Sequence, residues 1–237
     1  MKVIILVSAF FVLSINNISI SQKDGNVIQF NIDKVLNARP VATLTNNKLK
    51  AWTKGIDGNG LGDGYFTLSA ALFNGDKEPH ALPDDPLFAA NPSHPTIKLH
   101  YSNTDSLHNQ ACSITGLGDV KFDVPKAKYK AVYLALTSAE GASSVRVWFN
   151  YTDGAESKSF TVPDYYWDIK ADDTDFCYLA HDLAKWGNKN NMTEKDHHNI
   201  DLLNVRPDSA RVLKSIGIAK TKPGYLVFWA AVGLKKD

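Results

Sequence analysis

Cysteine is nearly missing from this chain: Cys112 and Cys177 are the only two. That excludes a disulfide-dense scaffold and leaves two readings, a single bridge or a pair of separate buried thiols. A bridge closing so long a loop would add about 4 kcal/mol of stability. Long apolar runs are also lacking. The stretch Val3 to Ile15 is broken only by Ser8 and Ser14. It falls short of the roughly 20 residues a membrane helix needs. With Lys2 before it, and Ser19 and Ser21 at the −3 and −1 positions of a cut before Gln22, it reads as a secretory signal over residues 1–21. The expected mature chain is one domain, 22–237, with no membrane span once the signal is removed. Its expected place is outside the cell, or the periplasm or cell surface of a bacterium.

Charge of one sign is lacking too. Against 26 Lys and Arg stand 25 Asp and Glu, a formal net charge of +1. No net field draws in nucleic acid or an anionic membrane. The densest basic run, Lys126, Lys128 and Lys130, alternates as on a solvated strand face. Catalytic signatures are missing as well. There is no Gly-x-Ser-x-Gly elbow, no His-Glu-x-x-His and no Gly-Lys-Ser/Thr phosphate loop. Neither cysteine has a papain-like context. Internal repeats and linkers rich in Pro, Gly or Ser are not seen. On this reading the chain is more a binding protein than an enzyme, and it requires no cofactor.

What is present is β-forming sequence. Short runs of Val, Ile, Tyr, Phe and Trp with turn residues between them predict strands near Val41–Leu44, Tyr65–Leu72, Ile97–Tyr101, Val120–Val124, Ala131–Thr137 and Val145–Tyr151. Further strands are predicted near Ser157–Val162, Phe176–Leu179, Ile200–Val205, Val212–Ala219 and Tyr225–Val232. Asp153-Gly154 and Pro223-Gly224 mark reversals. Val145, Val147 and Phe149 share one strand face and Arg146 and Trp148 the other. Tyr178 to Trp186 spaces Leu179, Leu183 and Trp186 as a short helix would, or a strand running into one. Five prolines between Gly75 and Pro95 predict a long surface loop. The fold class expected is all-β: a sandwich with long loops and at most one or two short helices. Two glycosylation sequons stand at Asn150 and Asn191, the second in a polar loop.

The segment from Thr137-Ser138-Ala139-Glu140-Gly141 through Asp153-Gly154 to Pro163-Asp164-Tyr165-Tyr166 resembles the strand–turn–strand hairpin of galactose-binding-like jelly-roll modules in secreted glycoside-processing proteins. The terminal run Val212 to Val232 suits the same fold. Tyr165-Tyr166-Trp167 stands where that family carries paired tryptophans. The resemblance implies a lectin-like, non-catalytic, carbohydrate-binding module.

Three constellations could carry such a role. Sugars bind by stacking an apolar face on an aromatic ring while polar groups take the hydroxyls. Tyr165, Tyr166 and Trp167, flanked by Asp164 and Asp168, supply both at one strand end. The competing reading is three rings plugging the end of the sandwich. Trp52 and Trp186 are similar ring candidates in loop-like context. In Asp57-Gly58-Asn59-Gly60-Leu61-Gly62-Asp63-Gly64, oxygen side chains alternate with glycines, so Asp57, Asn59 and Asp63 could hold a structural calcium ion. A plain glycine-rich turn is the alternative. Finally, His181-Asp182 and Glu194 to His198 invite a metal reading, but neighbours such as His197 and His198 point apart on a strand or loop. The expected partner is a carbohydrate or glycoconjugate. The other expectations are an extracellular structural or protein-interaction role and, behind it, a glycoside-active or metal-dependent enzyme.

Overall fold

Alternation of apolar and polar residues builds the outer sheet. In β8 (Asp119–Ala127), Val120, Phe122 and Val124 point inward between charged neighbours. In β10 (Ser143–Tyr151), Val145, Val147, Phe149 and Tyr151 do the same, leaving Arg146 and Trp148 outside. A computed structural model describes residues 26–57 and 62–237. The expected signal peptide, its cut site and Asn59 lie outside these described residues.

The chain is an all-β sandwich. β11 (Gly154–Val162), β10, β14 (Leu213–Lys220) and β8 form one four-stranded antiparallel sheet in that order. The facing sheet has β15 (Tyr225–Lys235) and β9 (Tyr129–Ala139) at its centre, then β13 (Met192–Val205) and β12 (Phe176–Trp186). β1 (Val27–Gln29) and β7 (Cys112–Thr115) share the far side of β15. Between the sheets lies a core of Phe122, Phe149, Ile216, Phe228 and their neighbours.

The six-stranded sheet is buried on both faces, because residues between β1 and β7 form a third layer over its outer side. That layer contributes Val41, Ile56, Tyr65, Leu82 and Leu99 to a second core shared with Trp229 and Val232. β15 feeds both cores. A register shift between Phe228 and Ala230 puts the successive residues Trp229 and Ala230 on one side, so the inward phase changes along the strand.

The third layer is mostly irregular. It holds β2 (Val41–Thr45), β3 (Lys48–Lys50), β4 (Tyr65–Phe66), β5 (Leu87–Phe88), β6 (Ile97–Lys98) and the helix α1 (Leu68–Phe73). Buried loops must satisfy their backbone groups. Here side chains do so: Gln110 accepts from Val41 N–H at 2.8 Å and donates to Val41 C=O at 3.2 Å. Arg39, only 2 % exposed, donates to the carbonyls of Asp105 and His108.

Three expectations change. The strand expected over Tyr65–Leu72 stops at Phe66, and Leu68–Phe73 is helical. Its Ser-Ala-Ala-Leu stretch favours helix, and the small Ala70 and Ala71 let it pack closely. Tyr178–Trp186 is strand throughout. Bulges along β12, including shifts on either side of Lys185, produce the four-then-three spacing that imitates a helix. Pro223-Gly224 does reverse the chain, but β14 and β15 belong to different sheets, so the turn is a corner and no hairpin forms. Asp153-Gly154 is a true hairpin turn, joining β10 to β11.

The cysteines are both free. Cys112 lies on β7 and Cys177 on β12, with β15, β9 and β13 between them. That is four strand spacings, roughly 19 Å, where a disulfide needs Cα atoms within about 7 Å.

Candidate functional site

Asp164 begins a tight turn where the chain leaves β11. Its carbonyl accepts from Trp167 N–H at 2.8 Å, and its carboxylate accepts from Tyr166 N–H at 2.9 Å. The other carboxylate oxygen takes Gly141 N–H. An aspartate at the first position of a turn caps its own backbone in this way. The turn is then held from both sides. Tyr165 N–H donates to Ser138 C=O of β9, and Tyr165 C=O accepts from Asn199 N–H of β13.

This geometry sorts the aromatic trio. Tyr165 points inward, is 5 % exposed, and packs in the second core. Tyr166 and Trp167 point outward, 49 % and 56 % exposed. Asp168 is exposed beside them, within 3.5 Å of the Tyr178 hydroxyl. Two expected roles therefore change. The Tyr165 ring is buried and not open to stack on a ligand, although the residue lines the hollow behind the turn, and the Asp164 carboxylate is occupied by backbone N–H groups and shapes the loop.

Behind the two exposed rings is an open, polar hollow of about 360 Å³ lined by Glu140, Asp164, Tyr165, Lys185 and Glu194. Lys185, on β12, is 7 % exposed. Its ammonium lies 2.6 Å from Glu194 and 3.1 Å from the Tyr165 hydroxyl. Burial works against its charge, but the bonds to Glu194 and Tyr165 outweigh burial and raise its pKa. Glu194 is also desolvated, yet Lys185 and His198 hold its carboxyl below the usual range. Burial pushes the Tyr165 hydroxyl up to about 12 even beside Lys185. The Lys185–Glu194 pair thus stays charged on both sides at neutral pH. His198 is wholly buried with its ring 3.2 Å from Glu194, whereas His197 is exposed. The two neighbours do point apart.

Lys185 and Glu140 are not candidates from sequence, and Glu194 enters there only within the stretch that invites a metal reading. Lys185 and Glu194 face each other across the bulged β12–β13 pair, a register that no local pattern states. Glu140 was quoted only within the hairpin motif. It sits at positive φ in the turn that the Asp164 carboxylate clasps through Gly141.

Trp52 and Trp186 are core residues. Each is under 5 % exposed, and both pack on Phe66, with Trp186 stacked at 4.3 Å between ring centres. Asp57 and Asp63 lie close together. The Asp57 carboxylate accepts from Asp63 N–H at 3.1 Å, and the Asp63 carboxylate accepts from the Thr193 hydroxyl at 3.0 Å. Gly62 at φ +63 is required there, since a Cβ would stand 2.3 Å from the Asp57 carboxylate. Asn188 and Asn191 line the same hollow of about 300 Å³. Asn191 is exposed, whereas Asn150 sits in a strand paired on both sides.

No protein-family model and no curated protein matches this sequence.

Proposed function

We propose that the chain is a non-catalytic carbohydrate-binding module acting outside the cell. One observation carries this reading: Tyr166 and Trp167 stand side by side in solvent at the mouth of a polar hollow, on a turn fixed by backbone bonds. Large aromatics are usually buried, and two exposed together on a pinned loop are what ring-stacking on a sugar requires. Tyr166 or Trp167 would take the apolar sugar face. Glu140, Glu194 and Asp168 would accept hydroxyl protons, and Lys185 would donate. Because the turn is already held by Ser138 and Asn199, little ordering accompanies binding. Calcium bracing of the Asp57–Asp63 turn belongs to the same proposal, supported by the shared hollow with Asn188, Asn191 and Thr193.

The test is a glycan array probed with the purified chain, in calcium and again with a chelator. Specific binding should fall at least about tenfold in Trp167→Ala or Tyr166→Ala, roughly the 1.4 kcal/mol of a good stacking contact. Loss with chelator that Asp63→Asn reproduces would assign calcium to the Asp57–Asp63 turn. No binding by folded protein in either condition would favour the second reading, a structural or protein-interaction role. One observation speaks for that reading: Leu68, Leu72 and Phe73 on α1 are 39 to 53 % exposed.

A further inference from the structure

Two bulges face each other on the β12–β13 pair. Asp182 on one strand and His197 on the other both hold left-handed φ values, 60° and 73°. The Asp182 carboxylate accepts from His197 N–H at 3.2 Å. This brings Asp182, Asp196 and His197 to one surface point, where one ligand atom from each lies within 4.8 Å of the others. His80 arrives from the third layer. Its ring Nδ1 is 3.1 Å from Asp182 Oδ2 and 2.9 Å from the Asp182 carbonyl.

From this convergence we propose a binding site for a divalent transition-metal ion of the zinc class, with Asp182, Asp196 and His197 as ligands and His80 bracing Asp182 through its Nδ1–H. The ligand type selects the ion. An imidazole nitrogen suits zinc, cobalt, nickel or copper, whereas calcium and magnesium take oxygen alone. Histidine nitrogen and aspartate oxygen are both zinc ligands. The spacing is close to what is needed. Ligand atoms about 2 Å from a tetrahedral ion lie about 3.3 Å from one another. His197 Nδ1 is already 2.6 Å from Asp196 Oδ1. The remaining ligand-atom distances are at most 4.8 Å.

The ion pairs of these carboxylates point the same way. Asp182 pairs with His80 and Asp196 with His197. Neither carboxylate forms an ion pair with lysine or arginine among the described residues. A histidine must be neutral to bind a metal, so an arriving ion takes over both carboxylates and the His197 ring with no lysine or arginine ion pair to break. The site shares no ligand with the Asp57–Asp63 turn or the Lys185–Glu194 pair, though the His197 ring stacks on Tyr166 at 5.7 Å between centres; the proposal does not rest on sugar binding.

The experiment is zinc titration by calorimetry, on the chain purified without a histidine tag. Cobalt absorption in the visible range reports the donor geometry. One ion per chain at micromolar affinity is expected. Affinity should drop at least tenfold in Asp182→Asn and in His197→Asn, and be unchanged in Asp119→Asn, an exposed carboxylate on the other sheet. Asparagine is chosen at 182 and 197 because it tolerates positive φ, so the bulges survive; circular dichroism checks that they do. Folded wild-type chain that takes up no stoichiometric zinc would overturn the proposal. So would uptake undiminished in the Asp182→Asn, His197→Asn double variant.

Discussion

At the scale of single residues, burial decides which charges survive. Asp201 is fully buried on β13, and neither carboxylate oxygen has a hydrogen-bond partner. Burial, with the nearby charge of Asp164 adding to it, pushes its pKa up to about 8. A raised carboxyl pKa favours the protonated folded state, so Asp201 contributes its full stability below about pH 4, the unfolded value. That contribution is lost as pH rises through the folded value and is constant beyond it. Glu194 and His198 are shifted down, so each acts in the opposite sense, toward acid. Comparison with Asp201→Asn isolates the one group. The urea midpoint of wild type should fall between pH 5 and pH 8 relative to that of the variant. Parallel curves would rule Asp201 out as the cause. Lys185 gives a second prediction: Glu194→Gln leaves a buried ammonium without its carboxylate and should cost about 1–3 kcal/mol in urea unfolding. A smaller loss would mean that water or Tyr165 already satisfies the ammonium.

At the scale of elements, close approach and bulges matter most. β15 runs through the centre of the molecule, and Gly233 on it lies against Phe30 and Tyr129. A Cβ there would meet ring atoms at 2.4 to 2.7 Å. Gly233→Ala should therefore destabilise by about 1–3 kcal/mol through overpacking. The same change at Gly75 would meet nothing within 4 Å, although its φ of +90° adds backbone strain. Urea denaturation of the Gly233 variant decides the point, since an unchanged midpoint would show that the rings move aside freely. Bulges are also why β12 was hard to read. Leu179 and Leu183 share a core as period-two residues should, and the step to Trp186 then breaks phase. β8 keeps its register from Asp119 to Asp123 and β10 from Val145 to Asn150, and over those spans the period of two is unbroken.

At the scale of the whole molecule, strand order governs what can meet. Cys112 and Cys177 occupy strands with three others between them, so they cannot bridge without unfolding. Burial pushes both thiols up to about 11, which slows their reaction in the folded chain. Thermal unfolding should have the same midpoint with and without reductant. Thiol titration should find two reactive groups in denaturant and fewer in native protein. A midpoint that falls on reduction would contradict the strand order itself. Strand order also creates the candidate site. The Asp164 turn leaves the four-stranded sheet, yet it is pinned on β9 and β13 of the other sheet and meets Lys185 of β12.

The β class, the alternating stripes of β8 and β10, the Asp153-Gly154 hairpin and the aromatic turn after β11 were determined by sequence alone. Each is written in residues within about ten positions of one another. Local sterics and the two-residue period of a strand are enough to express them. Only the tertiary structure decided that Tyr165 turns in while Tyr166 and Trp167 turn out, that Trp52 and Trp186 are core, and that Pro223-Gly224 joins two sheets. It also decided that Lys185 meets Glu194 and Asp182 meets His197. These outcomes depend on which strands pair and where bulges shift their phase. Both are set by burying apolar surface across the whole chain, and no short stretch of residues contains that information.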